Sequence, residues 1–395
     1  MLQKYLVAIS AIGYFFYSMI QLSIYNTLAP TLLSSLHVST GTLGLISSSY
    51  LITLAITLIP AGLLIDRFST KKIMVITFIL SVLGASLLAL HLSLASITLH
   101  RIMSGMANGF AFLIALRVAI FWFPNKHALS TGLIIALSMS GGIAGTAIFP
   151  AVFETYGLRL GLWINSIVGL FFITLSILSF KDHYDEQLQA HRLLLSNLKD
   201  IFKNSINWTC GAYTGFLNLG VYVLASLWGS FYLINKYGFN NNKASEITSL
   251  IFLGIIIGAP IWGFFSDKLK NRQNLMIVGA LLSAVFVGLI TFISSTSLLI
   301  LTGLFFLLGV SCSAQVLSYP VIAENNKQDC ISLATGFSGL IINLIGAVIQ
   351  PLFGVLLTMN FGLFTLYNGL NITLAMSFLV ICFTSAVALI YLNNK

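Results

Sequence analysis

The sequence predicts an all-α membrane protein, with twelve transmembrane helices in two pseudo-symmetric six-helix bundles. Hydrophobic residues fill 58% of the 395 positions and charged residues 7%, too few polar side chains to cover a water-exposed surface of this size. The chain also divides into twelve apolar runs, each close to the roughly 20 residues needed to cross a bilayer. Finally, Pro60-Ala61-Gly62-Leu63-Leu64-Ile65-Asp66-Arg67-Phe68-Ser69-Thr70-Lys71-Lys72 has an echo in Pro260-Ile261-Trp262-Gly263-Phe264-Phe265-Ser266-Asp267-Lys268-Leu269-Lys270, and Gly62 and Asp66 recur 201 positions later as Gly263 and Asp267. A charged turn repeated at half-chain distance between apolar runs implies two similar bundles joined in one chain.

The first six spans fall near 5–30, 42–64, 73–92, 95–122, 128–152 and 160–180. Six more follow near 207–235, 245–265, 274–294, 297–323, 331–358 and 363–391. The first run is too long for a secretory leader and continues without a small-residue cleavage site, so it reads as a span. The domains are an N-terminal bundle over 1–180, a cytoplasmic linker over 181–205 and a C-terminal bundle over 206–395. The linker is the one sizeable polar stretch. Within it Leu188, Leu194, Leu195, Leu198 and Phe202 are spaced for an amphipathic helix on the inner membrane surface, with a solvated tether as the alternative.

Two further echoes support the internal symmetry. Leu129-Ser130-Thr131-Gly132 recurs as Leu333-Ala334-Thr335-Gly336, and Gly145-x-x-Ile148-x-Pro150 as Gly346-x-x-Ile349-x-Pro351. Small residues let helices approach, and prolines kink or end them. With the N-terminus inside, most of the nineteen Lys and Arg fall in cytoplasmic loops, among them Lys4, Arg67, Lys71, Lys72, Lys126, Lys181, Arg192, Lys268, Lys270, Lys327 and Lys395. Arg159, Lys236 and Lys243 fall outside. This places both termini in the cytoplasm, and the net charge of +9 reports topology rather than nucleic-acid binding. Cys210, Cys312, Cys330 and Cys382 are dispersed and read as packing residues, implying neither disulfide nor metal.

Asp66 and Asp267 stand where their spans leave the bilayer, beside Arg67 and Lys268. A carboxylate there can cap a neighbouring helix N-terminus and pair with basic side chains, a contact that must break for one face to open. Gly62, Asp66, Arg67, Lys71, Gly263, Asp267 and Lys268 are therefore gating candidates; ordinary positive-inside loops are the alternative. Inside the membrane the acid inventory is nearly empty, with Glu154 and Glu246 at outer ends. A proton-coupled mechanism would have to use Glu154, Asp66 or a substrate carboxylate, and facilitated diffusion stays open.

Arg101 lies about six residues into the fourth run, roughly 9 Å deep at 1.5 Å per residue, with Asn108 on nearly the same face. A buried guanidinium needs an anion or several acceptors. It can hold a substrate carboxylate by a paired hydrogen bond, or pair with backbone carbonyls or an acid such as Glu154. Arg117 reads as a residue that snorkels inward or braces a loop. Polar stripes mark the candidate cavity: Tyr14, Tyr17, Ser18, Gln21 and Tyr25 in the first span, then Thr214, Asn218 and Tyr222 with Trp228 in the seventh. Ser313, Gln315, Ser318 and Tyr319 line the tenth, and Asn343 and Gln350 the eleventh. Such groups turn away from lipid, toward either substrate or helix packing.

The Gly62–Lys72 turn and its copy at Gly263 resemble the loop motif of the major facilitator superfamily, and Arg101-x-x-Ser104-Gly105 resembles its fourth-helix motif. The resemblance implies twelve helices in two bundles with a central cavity lined mainly by helices 1, 4, 7 and 10. Ser69 and Lys270 depart from the loop motif, where Gly is usual. Gly132, Gly141 and Gly145 match part of the fifth-helix antiport motif, but Gly145-Thr146 replaces its Gly-Pro, which disfavours drug or metabolite antiport. Arg101-Ile-Met-Ser-Gly-Met-Ala-Asn-Gly-Phe-Ala-Phe, Leu227-Trp228-Gly229, Cys312-Ser313-Ala314-Gln315-Val316-Leu317, Glu324-Asn325-Asn326 and Ala334-Thr335-Gly336-Phe337 resemble the proteobacterial intraphagosomal amino acid transporter branch, over nearly the whole chain. Ser18 and Leu22 stand where many members carry an acid and a base.

The resemblance implies import of a small nutrient across a bacterial inner membrane by alternating access, with an amino acid as solute and symport with protons as one form of coupling. Partners are then a small zwitterionic substrate, a proton and the lipid bilayer, with no nucleic acid, no cofactor and a monomeric chain. Arg101, Tyr17, Gln21, Asn108, Asn218, Tyr222, Trp228, Gln315 and Asn343 are the substrate-binding candidates. Export of a siderophore, peptide or drug is the alternative within transport, and a non-transporting membrane sensor the alternative outside it. Metal-ligand, nucleotide-loop and nucleophile–base motifs of an enzyme are missing from the sequence.

Overall fold

The computed structural model describes residues 2–123, 127–182, 195–293, 297–327, 330–357 and 370–393. The described residues are helices joined by short turns, and twelve helices are long and apolar enough to cross a membrane. The first four spans are α1 (Leu2–Leu36), α2 (Thr40–Arg67), α3 (Thr70–Leu90) and α4 (Leu94–Trp122). The fifth is composite: α5 (His127–Ile143), a π-helical turn over Ala144–Ile148 and α6 (Phe149–Tyr156); α7 (Leu158–Ser179) is the sixth. A short helix α8 (Leu195–Lys203) precedes the seventh span, which runs as α9 (Ser205–Leu217), a π-helical stretch over Gly220–Trp228 and α10 (Gly229–Tyr237). Then come α11 (Asn241–Leu269), α12 (Arg272–Phe292), α13 (Leu298–Cys312) with a 3₁₀ turn over Ser313–Leu317 and α14 (Ser318–Glu324), α15 (Ile331–Leu356) and α16 (Leu370–Asn393).

Local chemistry sets the ends. Ser69 caps α3 by accepting from the Lys72 N–H, and Ser93 with Ser96 forms a reciprocal capping box at α4, each satisfying N–H groups that lack an intrahelical partner. Gly238, with φ of +71°, ends α10 in the left-handed conformation, and Asn240 caps α11 two residues later. Pro150, in the first turn of α6, brings no N–H to the preceding turn, and the hydrogen-bond register widens there into the π turn. Pro351 instead sits inside a continuous α15.

The chain forms two compact units. Unit 1 comprises Met1–Tyr25 and Ser49–Arg192, and unit 2 comprises Asn26–Ser48 and Leu193–Lys395. In unit 1, α3 packs on α4 and α7, and α4 on α5. Close approach is bought by small residues: a Cβ at Gly141 would stand 2.0 Å from the Phe16 carbonyl oxygen, so α5 rides directly on the α1 backbone.

In unit 2, α11 packs on α13, α12 on α16 and α9 on α15. Of the predicted amphipathic helix in the linker, Leu188 and Leu194 lie outside the described residues, as do the side chains of Leu195 and Leu198. The Phe202 ring of α8 meets Trp208 and, at 4.6 Å between centroids, Phe337 of α15, while Ile201 is buried. The cysteines are all buried thiols.

Candidate functional site

Unit 1 gathers its polar side chains on the facing sides of α1, α3, α4 and α7. Arg101 is fully buried, its guanidinium carbon 4.4 Å from the Tyr25 ring centre and 4.6 Å from that of Tyr50. Two electron-rich ring faces stabilise a cation that apolar surroundings would penalise. Its Nη1 donates to the Gln21 carbonyl at 3.2 Å. The Tyr50 hydroxyl is anchored on the Ser18 carbonyl at 3.2 Å, which fixes one wall of the clamp.

Gln21, also buried, is the hub. Its Nε2 donates to Asn165 Oδ1 at 3.0 Å, and its Oε1 accepts from Asn165 Nδ2 at 3.1 Å, a reciprocal amide pair between α1 and α7. The same Oε1 lies 3.0 Å from His100 Nε2, and His100 Nδ1 lies 2.8 Å from the Tyr25 hydroxyl. The sequence reading overlooked both His100 and Asn165. The available signal was the rarity of a histidine beside an arginine, and of an asparagine, inside a span.

Tyr17 points elsewhere. Its ring packs on Phe78 at 5.4 Å, and a Cβ at Gly169 would stand 2.6 Å from its Cζ, so the phenol sits against the α7 backbone. Its hydroxyl, buried, has no hydrogen-bond partner in the protein, nor have Asn108 Oδ1, Ser81 Oγ and Ser104 Oγ. Tyr14 by contrast donates to the Ala107 carbonyl and bonds Thr77, each at 2.7 Å. Arg117 lies 5.2 Å from the Phe121 ring.

Unit 2 unites the seventh, tenth and eleventh spans. The π-helical stretch displaces backbone acceptors from their usual register, and side chains take them up. Gln350 Nε2 donates to the Tyr222 carbonyl at 2.8 Å, and the Trp228 indole donates to the Gln350 carbonyl at 3.1 Å. The Tyr222 hydroxyl donates to Asn343 Oδ1 at 2.9 Å, and Thr214 bonds Ser318 at 2.6 Å. Asn218 ends α9, its carbonyl accepting from the N–H groups of Val221 and Tyr222. Gln315 Oε1 and Gln350 Oε1 are buried without partners. Tyr222 is thus bonded to Asn343 through its hydroxyl, to Asn218 through the backbone, and to Trp228 by way of Gln350.

At the charged turns, Arg67, Asp267 and Lys268 are exposed, Gly62 and Gly263 have open space around them, and the Asp66 side chain lies outside the described positions. The carboxylate that caps α3 is Asp182, which accepts from the Lys71 N–H at 2.8 Å and the Ser69 hydroxyl at 2.5 Å. Among the described residues no His, Cys, Asp and Glu come together as a metal site.

The profile of the Major Facilitator Superfamily matches residues 10–248 and 236–394. The chain belongs to the major facilitator superfamily. Among curated relatives it is 25% identical over 221 residues to the uncharacterized transporter YybO of Bacillus subtilis (strain 168), spanning 54% of this chain and 49% of that one. It is 23% identical over 274 residues to the nitrite extrusion protein of the same organism, covering 66% of this chain and 67% of that one. The chain therefore spans about half the length of the first relative and two thirds of the second. Among solved structures, a bacterial homolog of the human lysosomal transporter Spinster superposes with a TM-score of 0.81 at 15% identity, covering 99% of this chain and 96% of that one. The nucleoside transporter NupG superposes at 0.77 with 13% identity, covering 98% and 100%. At these identities the likeness is one of fold. This major facilitator chain is a multi-pass membrane transporter by family.

Proposed function

We propose that this transporter imports a small zwitterionic nutrient, an amino acid, across a bacterial inner membrane by alternating access, with both termini cytoplasmic. The observation that carries the reading is the Arg101 guanidinium, fully buried in an apolar span with two tyrosine rings 4.4 and 4.6 Å from its central carbon. A permanent cation kept there at a desolvation cost suits a carboxylate, which a guanidinium binds through two parallel hydrogen bonds. The unpartnered amide oxygen of Asn108 is an acceptor of the kind an ammonium group needs. Tyr17, Gln21, Asn218, Tyr222, Trp228 and Asn343 complete the proposed binding set. Gly62, Asp66, Arg67, Lys71, Gly263, Asp267 and Lys268 form the proposed gating turns.

The similarity to a protein named for nitrite extrusion supports a second reading, export of a small inorganic anion held by the same guanidinium. One screen separates them: thermal stabilisation of the purified protein by each L-amino acid, by short peptides and by nitrite, since a ligand that binds only the folded state raises apparent stability. Amino-acid stabilisation that is lost in Arg101→Ala, with that variant still inserted in the membrane, supports import. A response to nitrite alone supports the second reading. Normal uptake by Arg101→Ala removes the carboxylate role.

A further inference from the structure

We propose that His100 is the proton site of this transporter, taking up one proton as an anionic group settles on Arg101. The inference rests on the reading of Arg101 as the anion-binding residue.

The hydrogen-bond network defines the resting form of the imidazole. Gln21 Oε1, which accepts from Asn165 Nδ2, faces His100 Nε2 across 3.0 Å. An oxygen there must accept, and Nε2 of His100 therefore carries the hydrogen. Nδ1 is left with its lone pair toward Tyr25, whose hydroxyl donates to it across 2.8 Å. His100 is thus a neutral ring with one basic nitrogen on a donor that can reverse. When a proton binds Nδ1, the Tyr25 hydroxyl turns its hydrogen away and accepts from the new N–H. The Nε2–H bond to Gln21 is untouched, and no other bond forms or breaks.

The control on this step is Arg101. The Tyr25 ring whose hydroxyl meets His100 is the same ring that covers the guanidinium, 4.4 Å away. A proton on His100 places a second positive charge beside the first in surroundings that screen poorly. A carboxylate against the guanidinium cancels that field. Proton and anion therefore favour each other, and the linkage is reciprocal.

The ionisable groups around His100 are few. On α4 there is Arg101; from α1 comes Tyr25; from α2 comes Tyr50, its ring centre 4.6 Å from the guanidinium carbon. The neighbour from α3 is Gly84, and from α7 it is Asn165 through Gln21.

Isothermal titration calorimetry of the full-length protein in buffers of different ionisation enthalpy counts protons taken up per ligand bound. The probes are the twenty L-amino acids, acetate and nitrite. At neutral pH the expected result is about one proton per bound ligand for the wild type and none for His100→Gln. A probe that binds the wild type without proton uptake, or one that still brings its proton to His100→Gln, overturns the inference and leaves the anion-binding reading standing. Failure of every probe to bind overturns both. If His100→Gln does not fold, ¹⁵N shifts of the His100 ring in the wild type decide: conversion to the imidazolium pattern when the probe binds supports the proton site, and an unchanged neutral pattern overturns it.

Discussion

A guanidinium between two tyrosine rings is not interchangeable with an ammonium in the same place. Arg101 presents a planar, weakly hydrated cation that lies over the rings of Tyr25 and Tyr50 and whose Nη1 reaches the Gln21 carbonyl. A lysine there would be a strongly hydrated point charge with no plane to stack and no fork to offer a carboxylate. Arg101→Lys should therefore lose uptake by tenfold or more although the charge is kept, and a variant that transports normally would show that charge alone is needed. Lys236 makes a contrasting, structural use of a cation. Its Nζ donates to the Ile290 and Thr291 carbonyls at 3.1 and 2.6 Å and to the Tyr232 hydroxyl at 3.0 Å. The two carbonyls belong to the last turn of α12, whose acceptors have no intrahelical donors. Lys236→Met should cost about 1–2 kcal/mol, visible as a lower melting temperature in detergent. Lys243→Met, at an exposed position near the start of α11, should leave it unchanged.

At the scale of elements, glycine placement decides which helices touch. A methyl at Gly141 would meet the Phe16 carbonyl oxygen at 2.0 Å, and a backbone atom inside α1 cannot step aside as a flexible side chain can. Gly141→Ala should destabilise by about 3 kcal/mol, the upper part of the overpacking range. Gly132→Ala, with nothing near its Cβ, should instead gain up to about 1 kcal/mol from helix propensity. Paired melting curves test the opposite signs. The spans themselves were legible because a bilayer demands length and apolarity together: the apolar run of 73–92 corresponds to α3 at Thr70–Leu90, and that of 274–294 to α12 at Arg272–Phe292. The π-helical stretches were not legible. Apolar content is the same whichever carbonyl an N–H reaches, so only Pro150 gave any hint, and nothing in Gly220–Trp228 announced that its register would differ. The Asp182 carboxylate at the start of α3 was not legible either, because it lies 111 residues from Lys71, whose N–H it accepts.

At the scale of the whole molecule, α1 is the telling element, because its residues up to Tyr25 belong to unit 1 and those from Asn26 onward to unit 2. The polar stripe of α1 was read from spacing, yet spacing could not say that Gln21 and Asn26, five residues apart, serve different units. Asn26 is buried and saturated within unit 2: Nδ2 donates to Ser230 Oγ and Thr248 Oγ1, each at 2.7 Å, and Oδ1 accepts from the Ser230 N–H at 2.9 Å. Ser230 in turn bonds Ser245 at 2.8 Å, and Thr27 reaches Ser245 at 3.3 Å. Any transport step that frees the 26–48 segment must break this cluster, whose three Asn26 bonds contribute roughly 1 kcal/mol each. Asn26→Ala should thus raise the population in which the segment has left unit 2 by tenfold or more. The measurement is maleimide labelling of Ser245→Cys, a fully buried position, in a chain whose native cysteines are all buried and so react slowly. Faster labelling in the Asn26→Ala background, in membranes well below its melting temperature, marks the cluster as a latch that opens in turnover. Equal labelling rates would make it a static part of the unit 2 core.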